Sequence, residues 1–487
     1  MEPHNLLFLL SDQHSCDAMG CQGHPVVATP NLDRLAAAGT RFENAYTNCP
    51  ICVPARASLH TGRYVHEIRF WDNGSPYDGS VSGWGHRLNA QGFRADSIGK
   101  LHFRSEEDDN GFAEEVEPLH VVGGVGDLLS CIRDAPPFRD FRPGLLEARG
   151  GDSSYLRYDV RNADSACRWL SEHAGDRTPW VLFLSFVCPH PPFVGPPGWF
   201  DRYLAADLPA PPQGRLEDRP DHPALDYFRR FFSLDEPPDD ETARRVQVAY
   251  YGACSHLDSQ IGRVLEALGG LGLADSTRVI YTSDHGESLG ARGLYGKFTC
   301  YEESVGVPMI LAGPGVPEGK VVRTPVSLVD LFPTVLEAVG ARPVEGDSDL
   351  PGESLWEIAR APDRDRTVFS EYHAVGSRHA AYMLRDATCK YIHYLNDPPQ
   401  LFDLSTDPQE LVDLAGEPEH RGRLRAFEAR LRSLLDPEAV DALAKADQRA
   451  RVEAFGGEEV VRRRGAFTNS PTPDEEVVFN AADRDGR

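Results

Sequence analysis

Apolar runs that stop abruptly at polar clusters set the rhythm of this chain. Asn5-Leu-Leu-Phe-Leu-Leu10 is followed at once by Ser11-Asp12-Gln13-His14. A run apolar on both faces predicts a central parallel strand, and a sharp polar end marks its carboxyl edge. Val181-Leu-Phe-Leu-Ser-Phe-Val187 ends in Cys188-Pro-His190, and Val279-Ile-Tyr-Thr-Ser283 ends in Asp284-His285-Gly286, so both repeat the pattern. In open α/β sheets ligands collect at such strand ends. Thr29-Pro30, with Leu32, Leu35 and Ala36 on one face, predicts a short helix with a proline in its first turn and Gly39 as its stop. Val246, Tyr250, Ala253, Leu257, Ile261, Val264, Leu265 and Leu268 recur at helical spacing until Gly269-Gly270. Residues 206–240 are rich in Pro, Asp and Arg with weak periodicity, and read as a surface excursion or lid.

The pattern changes near residues 360–365. Ala381-Tyr-Met-Leu, Lys390-Tyr-Ile-His-Tyr and Gln400-Leu-Phe-Asp-Leu read as short antiparallel strands, followed by a helix carrying Leu424, Phe427, Leu431 and Leu434. This divides the chain into a catalytic-sized unit (1–365), a small unit (366–436) and a charged, turn-rich tail (437–487). The tail is expected to be mobile or to act as an oligomerisation arm docked on a neighbouring subunit. No internal repeat is present.

Charge narrows the partners. With 50 Lys and Arg against 75 Asp and Glu, the net charge is −25, which repels nucleic acid and anionic membranes. An anionic substrate must then be held by local cations. Ten cysteines are scattered, with Cys49-Pro-Ile-Cys52 the only CxxC spacing, so buried free thiols in a reducing compartment are expected. The five-residue apolar run Leu6 to Leu10 is too short for a signal-peptide core or a membrane span, and a soluble cytoplasmic protein is expected.

The candidate chemistry sits at the strand ends. Cys52-Val-Pro54-Ala-Arg56 opens a helix that closes at Gly62, which puts Cys52 at a helix N-terminus where backbone N–H groups favour an anion, with Arg56 one turn on. Asp12, Gln13, Asp284 and His285 are oxygen and nitrogen donors at the ends of two buried strands. Brought together they suit Ca2+, with Mn2+ as the alternative. Gly99-Lys100-Leu-His102, His190 and Gly296-Lys297 supply cations and a proton donor to the same region. Nucleophile elbows, P-loops and dinucleotide fingerprints are absent.

Cys52-Val-Pro-Ala-Arg-Ala-Ser-Leu-His-Thr-Gly-Arg63 resembles the signature of type I sulfatases of the alkaline-phosphatase-like superfamily, in which the cysteine is oxidised to formylglycine. The likeness extends over most of the chain. It takes in Thr29-Pro-Asn-Leu-Asp-Arg-Leu-Ala, Gly99-Lys-Leu-His102, Thr282-Ser-Asp-His-Gly-Glu-Ser-Leu-Gly290, Gly296-Lys297, Tyr301-Glu-Glu, Val307-Pro and Leu401-Phe-Asp-Leu-Ser-Thr-Asp-Pro-Gln-Glu. The resemblance implies an α/β fold: a large, mostly parallel central sheet sandwiched by helices, with a smaller C-terminal α+β domain holding a short antiparallel sheet.

It further implies hydrolysis of aryl or alkyl sulfate monoesters, and maturation by a formylglycine-generating enzyme. Cys52, as the aldehyde hydrate, would offer the nucleophilic hydroxyl. Asp12, Gln13, Asp284 and His285 would hold one divalent metal. Arg56 would orient the hydrate, Lys100 and Lys297 would bind sulfate oxygens, and Asn73 would contact the sulfate. His190 would protonate the leaving oxygen, and His102 would be the base for collapse of the sulfated hemiacetal. Ala55 stands where serine is usual, leaving the Cys-x-Pro-x-Arg frame intact. Asp12-Gln13 and Asp284-His285 replace the more familiar Asp-Asp and Asp-Asn pairs, as in the choline-sulfatase and phosphonate monoester hydrolase branches. The latter branch carries hydroxyl side chains where this sequence has Lys100 and His102, which favours sulfate esters. The alternatives are a phosphonate monoester or phosphodiester hydrolase, a choline-type sulfatase with Trp71, Tyr77 and Trp199 as cage candidates, and an inactive binding protein. A homo-oligomer with exchanged tails is expected.

Overall fold

In the computed structural model, which describes residues 2–467 and 469–480, the three apolar runs lie side by side. The main sheet comprises β1 (Asn5–Asp12), β2 (Gly39–Phe42), β3 (Arg94–Lys100), β4 (Glu114–Leu119), β5 (Trp180–Pro189), β6 (Thr277–Ser283), β7 (Met309–Ala312) and β8 (Lys320–Val322). Their order across the sheet is β8-β2-β7-β6-β1-β5-β3-β4. β1 is parallel to both β5 and β6, and β3 is parallel to β5 and β4. β7 runs antiparallel to β6 and β2, so the sheet is mixed toward that edge.

Burial on both faces explains the unbroken apolar runs. Leu7 and Leu9 of β1 pack with α1 (Pro30–Ala37), α3 (Ser154–Glu172) and α5 (Asp240–Gly270), while Leu6, Phe8 and Leu10 face α2 (Cys52–Thr61) and α6 (Leu331–Val339). Each such fully buried side chain contributes roughly 1.5–3 kcal/mol of transfer free energy. Gly39 does not stop α1 as its position suggested; Ala38 ends the helix and Gly39 opens β2. A Cβ there would lie 2.0 Å from the Leu311 carbonyl oxygen, so glycine is required by the close strand contact. The excursion at 206–240 is only partly an excursion. Its second half forms α4 (Pro223–Phe231), and Phe228, Phe231 and Phe232 enter a core cluster with Phe298 and Tyr372.

The small sheet is β9 (Val368–Tyr372), β10 (Ala381–Arg385), β11 (Cys389–Tyr394) and β12 (Gln400–Asp403), antiparallel throughout. Helix α7 (Arg421–Leu434) lays Phe427 and Leu431 on it, whereas Leu434 at the helix end is exposed. α8 (Pro437–Ala454) and α9 (Glu458–Arg464) then fold back on the same chain. Asp447 accepts from Trp71 Nε1 at 2.8 Å, and the buried Gln448 donates to Asp72. All ten cysteines are unpaired. No helix among the described residues is long and apolar enough to cross a membrane.

Candidate active site

Asp12 ends β1, Lys100 ends β3, His190 follows β5 and Asp284 follows β6, so parallel strands deliver these groups to one edge of the sheet. Cys52, the first residue of α2, projects its backbone N-terminus toward the same edge. Its Sγ lies 3.1 Å from His285 Nε2, 3.4 Å from Lys297 Nζ and 3.8 Å from Asp12 Oδ1. The adjoining Val53 N–H donates to Asn73 Oδ1 at 3.1 Å, which ties the Asn73 loop to the helix start.

Arg56, one turn further, is fully engaged. Its Nε donates to Asp284 Oδ2 at 2.8 Å, one terminal nitrogen donates to Asp12 Oδ2 at 3.0 Å, and the other donates to the Lys100 carbonyl at 2.7 Å and Ser185 Oγ at 2.9 Å. Lys100 Nζ also reaches Asp12 Oδ2 at 2.7 Å. Each carboxylate thus gives Oδ2 to cations and leaves Oδ1 turned inward. Burial alone would raise the Asp12 carboxyl, but Lys100, His190, Arg56 and Lys297 hold it well below the usual carboxylate range.

His285 completes the inward set. Its Nδ1 is 3.0 Å from the Gly286 carbonyl, an arrangement that places the proton on Nδ1 and leaves the Nε2 lone pair facing Cys52. Burial lowers this imidazole to about 4, aided by Lys297, so it is neutral at pH 7. Asp12, Cys52, Asp284 and His285 each bring one donor atom within 4.8 Å of all the others, a group able to hold a metal ion. Two carboxylate oxygens and a lone-pair nitrogen match a hard or borderline divalent cation. Gln13, held at φ 69 just beyond β1, turns its N–H to Asp284 Oδ1 at 3.1 Å and its Oε1 to Lys297 Nζ at 2.5 Å.

The thiol is not an activated one among these protein groups. Burial, and then Asp12, push Cys52 up to about 11, although Lys297 and Lys100 pull the other way. A thiol at that value is protonated at neutral pH and a poor nucleophile.

The two histidines sit at the mouth. His102, at φ 59, lies 3.0 Å through Nε2 from Ser470 Oγ, and His190 Nδ1 is 2.7 Å from the Pro191 carbonyl. Burial, reinforced by neighbouring cations, keeps both well below the ordinary histidine value. Asp159 of α3 fixes the turn before His190 by accepting from Val187 N at 2.8 Å and Cys188 N at 2.9 Å.

All eleven residues singled out in the sequence therefore gather at this edge. The site opens into a cavity of about 410 Å3 lined by Gln13, Cys52, Asn73, Lys100, His102, His190 and Lys297, and walled by Phe141, Phe193, Phe232, Tyr295 and Phe298. Trp71, Tyr77 and Trp199 do not line it. Trp71 packs edge-to-face against His373, Tyr77 belongs to the core beside His60, and Trp199 stacks on Tyr203. Sequence reasoning also passed over Ser185, Glu287 and Ser470. Ser185 was visible as the one hydroxyl inside an apolar run. Glu287 is buried and accepts from Gln13 Nε2, from Leu289 N at 2.8 Å and from Gly296 N at 2.6 Å; its signal was an acid three residues beyond Asp284. Ser470 had no signal.

The sheet order and the donors gathered at its carboxyl edge define a hydrolase with an alkaline-phosphatase-like fold. The sulfatase family profile matches residues 4–341, and the chain belongs to that family as a sulfuric ester hydrolase. A second profile, the C-terminal part of N-sulphoglucosamine sulphohydrolase, matches residues 290–436. Arylsulfatase K of Danio rerio is 31% identical over 426 residues, 83% of this chain and 78% of that protein. Choline-sulfatase of Rhizobium meliloti (strain 1021) is 30% identical over 466 residues, covering 92% and 90%. The crystal structure of the phosphonate monoester hydrolase of Agrobacterium radiobacter superposes with a TM-score of 0.74 at 25% identity, covering 88% and 95%.

Proposed function

We propose that this chain hydrolyses aryl or alkyl sulfate monoesters with formylglycine, made from Cys52, as nucleophile and one Ca2+ held by Asp12, Gln13, Asp284 and His285. The observation that carries the reading is the convergence on Cys52 Sγ of His285, Lys297 and Asp12, at a thiol that burial makes unreactive. Sγ marks the position that a hydroxyl of the aldehyde hydrate takes. A bound divalent ion supplies Lewis acidity toward sulfuryl oxygens and neutralises two carboxylates that otherwise repel an anion.

The remaining work belongs to side chains. Lys297 and Lys100 bind the sulfuryl oxygens and stabilise charge that builds in the transition state. Arg56 locks the two carboxylates and thereby the distance between α2 and the strand ends. His190, neutral in the resting pocket, takes up the proton released by the attacking hydroxyl and gives it to the leaving oxygen; His102 accepts the proton of the second hydroxyl as sulfate departs. The aromatic wall excludes water and receives the leaving group. Likeness to the phosphonate monoester hydrolase supports phosphodiester cleavage as the second reading, while the sulfatase family profile and the arylsulfatase and choline-sulfatase relatives favour the first.

The test is the mass of the Cys52 peptide from protein made in a host with the modifying enzyme, alongside turnover of one aryl sulfate and one phosphodiester. Mass loss matching thiol-to-aldehyde conversion, with sulfate hydrolysed at the higher kcat/KM, is the expected result. An unmodified thiol in active enzyme overturns the nucleophile, and a higher kcat/KM on the phosphodiester moves the assignment to the second reading.

A further inference from the structure

The chain ends by returning to the active site. Beyond α9, Ala466 and Asn480 pair through two backbone hydrogen bonds of 3.0 and 2.7 Å, closing a loop over the cavity. Ala466, Phe467, Asn469, Ser470 and Asn480 all line it. Arg161 of α3 holds the far side of the loop through Asp474 Oδ1 at 3.0 Å.

Ser470 is the point of contact with the chemistry. Its Oγ lies 3.0 Å from His102 Nε2, and the Tyr155 hydroxyl donates to its carbonyl at 2.6 Å. Tyr155 in turn packs its ring 6.0 Å from that of His190. All three of Ser470, His102 and Tyr155 are buried. The other ring nitrogen of His102 has no partner among the described residues, so Ser470 alone sets the rotation of this imidazole by hydrogen bonding. An imidazole ring without such a partner turns broadly about its last side-chain bond.

We propose that residues 466–467 and 469–480 belong to a strap that closes the active site of their own chain, and that Ser470 is a positioning residue for His102. The inference rests on the reading of His102 as the proton acceptor. A base must be held within about 10–20° of its working geometry, and lost orientation lowers the chemical step more than binding. The strap also supplies part of the cavity wall that the aromatic side chains leave incomplete.

Three variants test this in the full-length, mature enzyme with an aryl sulfate. Ser470→Ala is expected to lower kcat about tenfold with KM within about twofold. Ser470→Thr keeps the hydroxyl and is expected to recover most of that loss. Tyr155→Phe, which removes only the oxygen anchoring the strap, is expected to act in the same direction and less strongly. Ser470→Ala at wild-type kcat, or Ser470→Thr as poor as Ser470→Ala, overturns the positioning role.

Ownership of the strap is read by mixing. Co-expressed chains, one full-length with Cys52→Ala and one ending at Gly465, are expected to remain inactive together. Recovery in the mixture overturns closure within one chain and assigns the strap to a neighbouring subunit. Hydrogen exchange on the full-length wild type gives a readout independent of turnover: slow exchange at Ala466 and Asn480 is expected, and fast exchange at both overturns docking. Wild-type enzyme inert toward sulfate esters but with a protected strap sinks the sulfatase reading and leaves the docked strap standing.

Discussion

Glu287→Gln changes one atom and should disturb the metal group through Gln13. In the native site Glu287 Oε1 accepts from Leu289 N and Gly296 N, while Oε2 accepts from Gln13 Nε2; this fixes the Gln13 amide with Oε1 toward Lys297. The new amide must keep its oxygen on the two backbone N–H groups, so its NH2 faces the Gln13 NH2. Either two buried donors confront each other, or Gln13 turns over and presents NH2 to Lys297 Nζ. Both outcomes leave a buried donor unpaired, at a cost of about 1–3 kcal/mol. The turned amide also removes an oxygen from the proposed ligand set, and changes to such supporting partners typically weaken metal binding 10–100-fold. Titration of Ca2+ into chelator-treated enzyme, followed by aryl sulfate turnover, should show this weakening, with activity restored at high Ca2+. Calcium affinity within twofold of wild type would refute the role given to Glu287 and the inclusion of Gln13 in the metal group.

Other outcomes follow from the same geometry. Cys52→Ala should remove sulfatase activity by at least about 10⁴-fold, with far-ultraviolet circular dichroism unchanged, since the side chain is small and its contacts are confined to the site. Lys297→Ala should lower kcat/KM by about 10²–10³, the scale of removing a preorganised donor to a developing oxyanion, and a loss under tenfold would contradict it. His60 is buried among Tyr77, Trp84, Phe103 and Phe112 and is held down to about 3 by burial, then by His86. Its folded value lies below its unfolded value of 6.5, so the stability it contributes is complete above pH 6.5 and is lost as pH falls toward 3. That amounts to about 2 kcal/mol by pH 5. His60→Phe should shrink the difference between urea stabilities at pH 7 and pH 5 by about this amount; an unchanged difference would refute neutral burial.

The parts of the fold legible in the sequence are those where burial is symmetric. β1, β5 and β6 are covered on both faces, so their composition announces them, and the polar residues at their ends could be read as a shared edge. β3 and β4 lie toward the other edge and carry Asp96, Ser97, Glu114 and Glu115 among their residues, which erases the pattern. β7 is only four residues long, too short for periodicity to register its antiparallel course. The catalytic candidates were found because they cluster in sequence at strand ends and in the Cys52 helix. Ser470 could not be: its proposed role depends on a contact with His102, 368 positions earlier, with nothing in its own neighbourhood to mark it. The aromatic wall was misplaced for a similar reason. Trp71 and Tyr77 are near Asn73 in sequence yet point into cores, while Phe232 and Phe298 reach the cavity from distant segments.

The return of the proposed strap to His102 and Tyr155 also orders events during synthesis. Asp12 and Asn480 are the first and last described residues of the site, and ribosomes add roughly 5–20 residues per second, so on the order of a minute separates their appearance. Asp284 and Lys297 appear only past the middle of that interval, and on this proposal the groups they join have no roof until the strap follows. On that proposal the chamber closes only after Ser470 and Asn480 have been made, so the strap is the last part of the site to form.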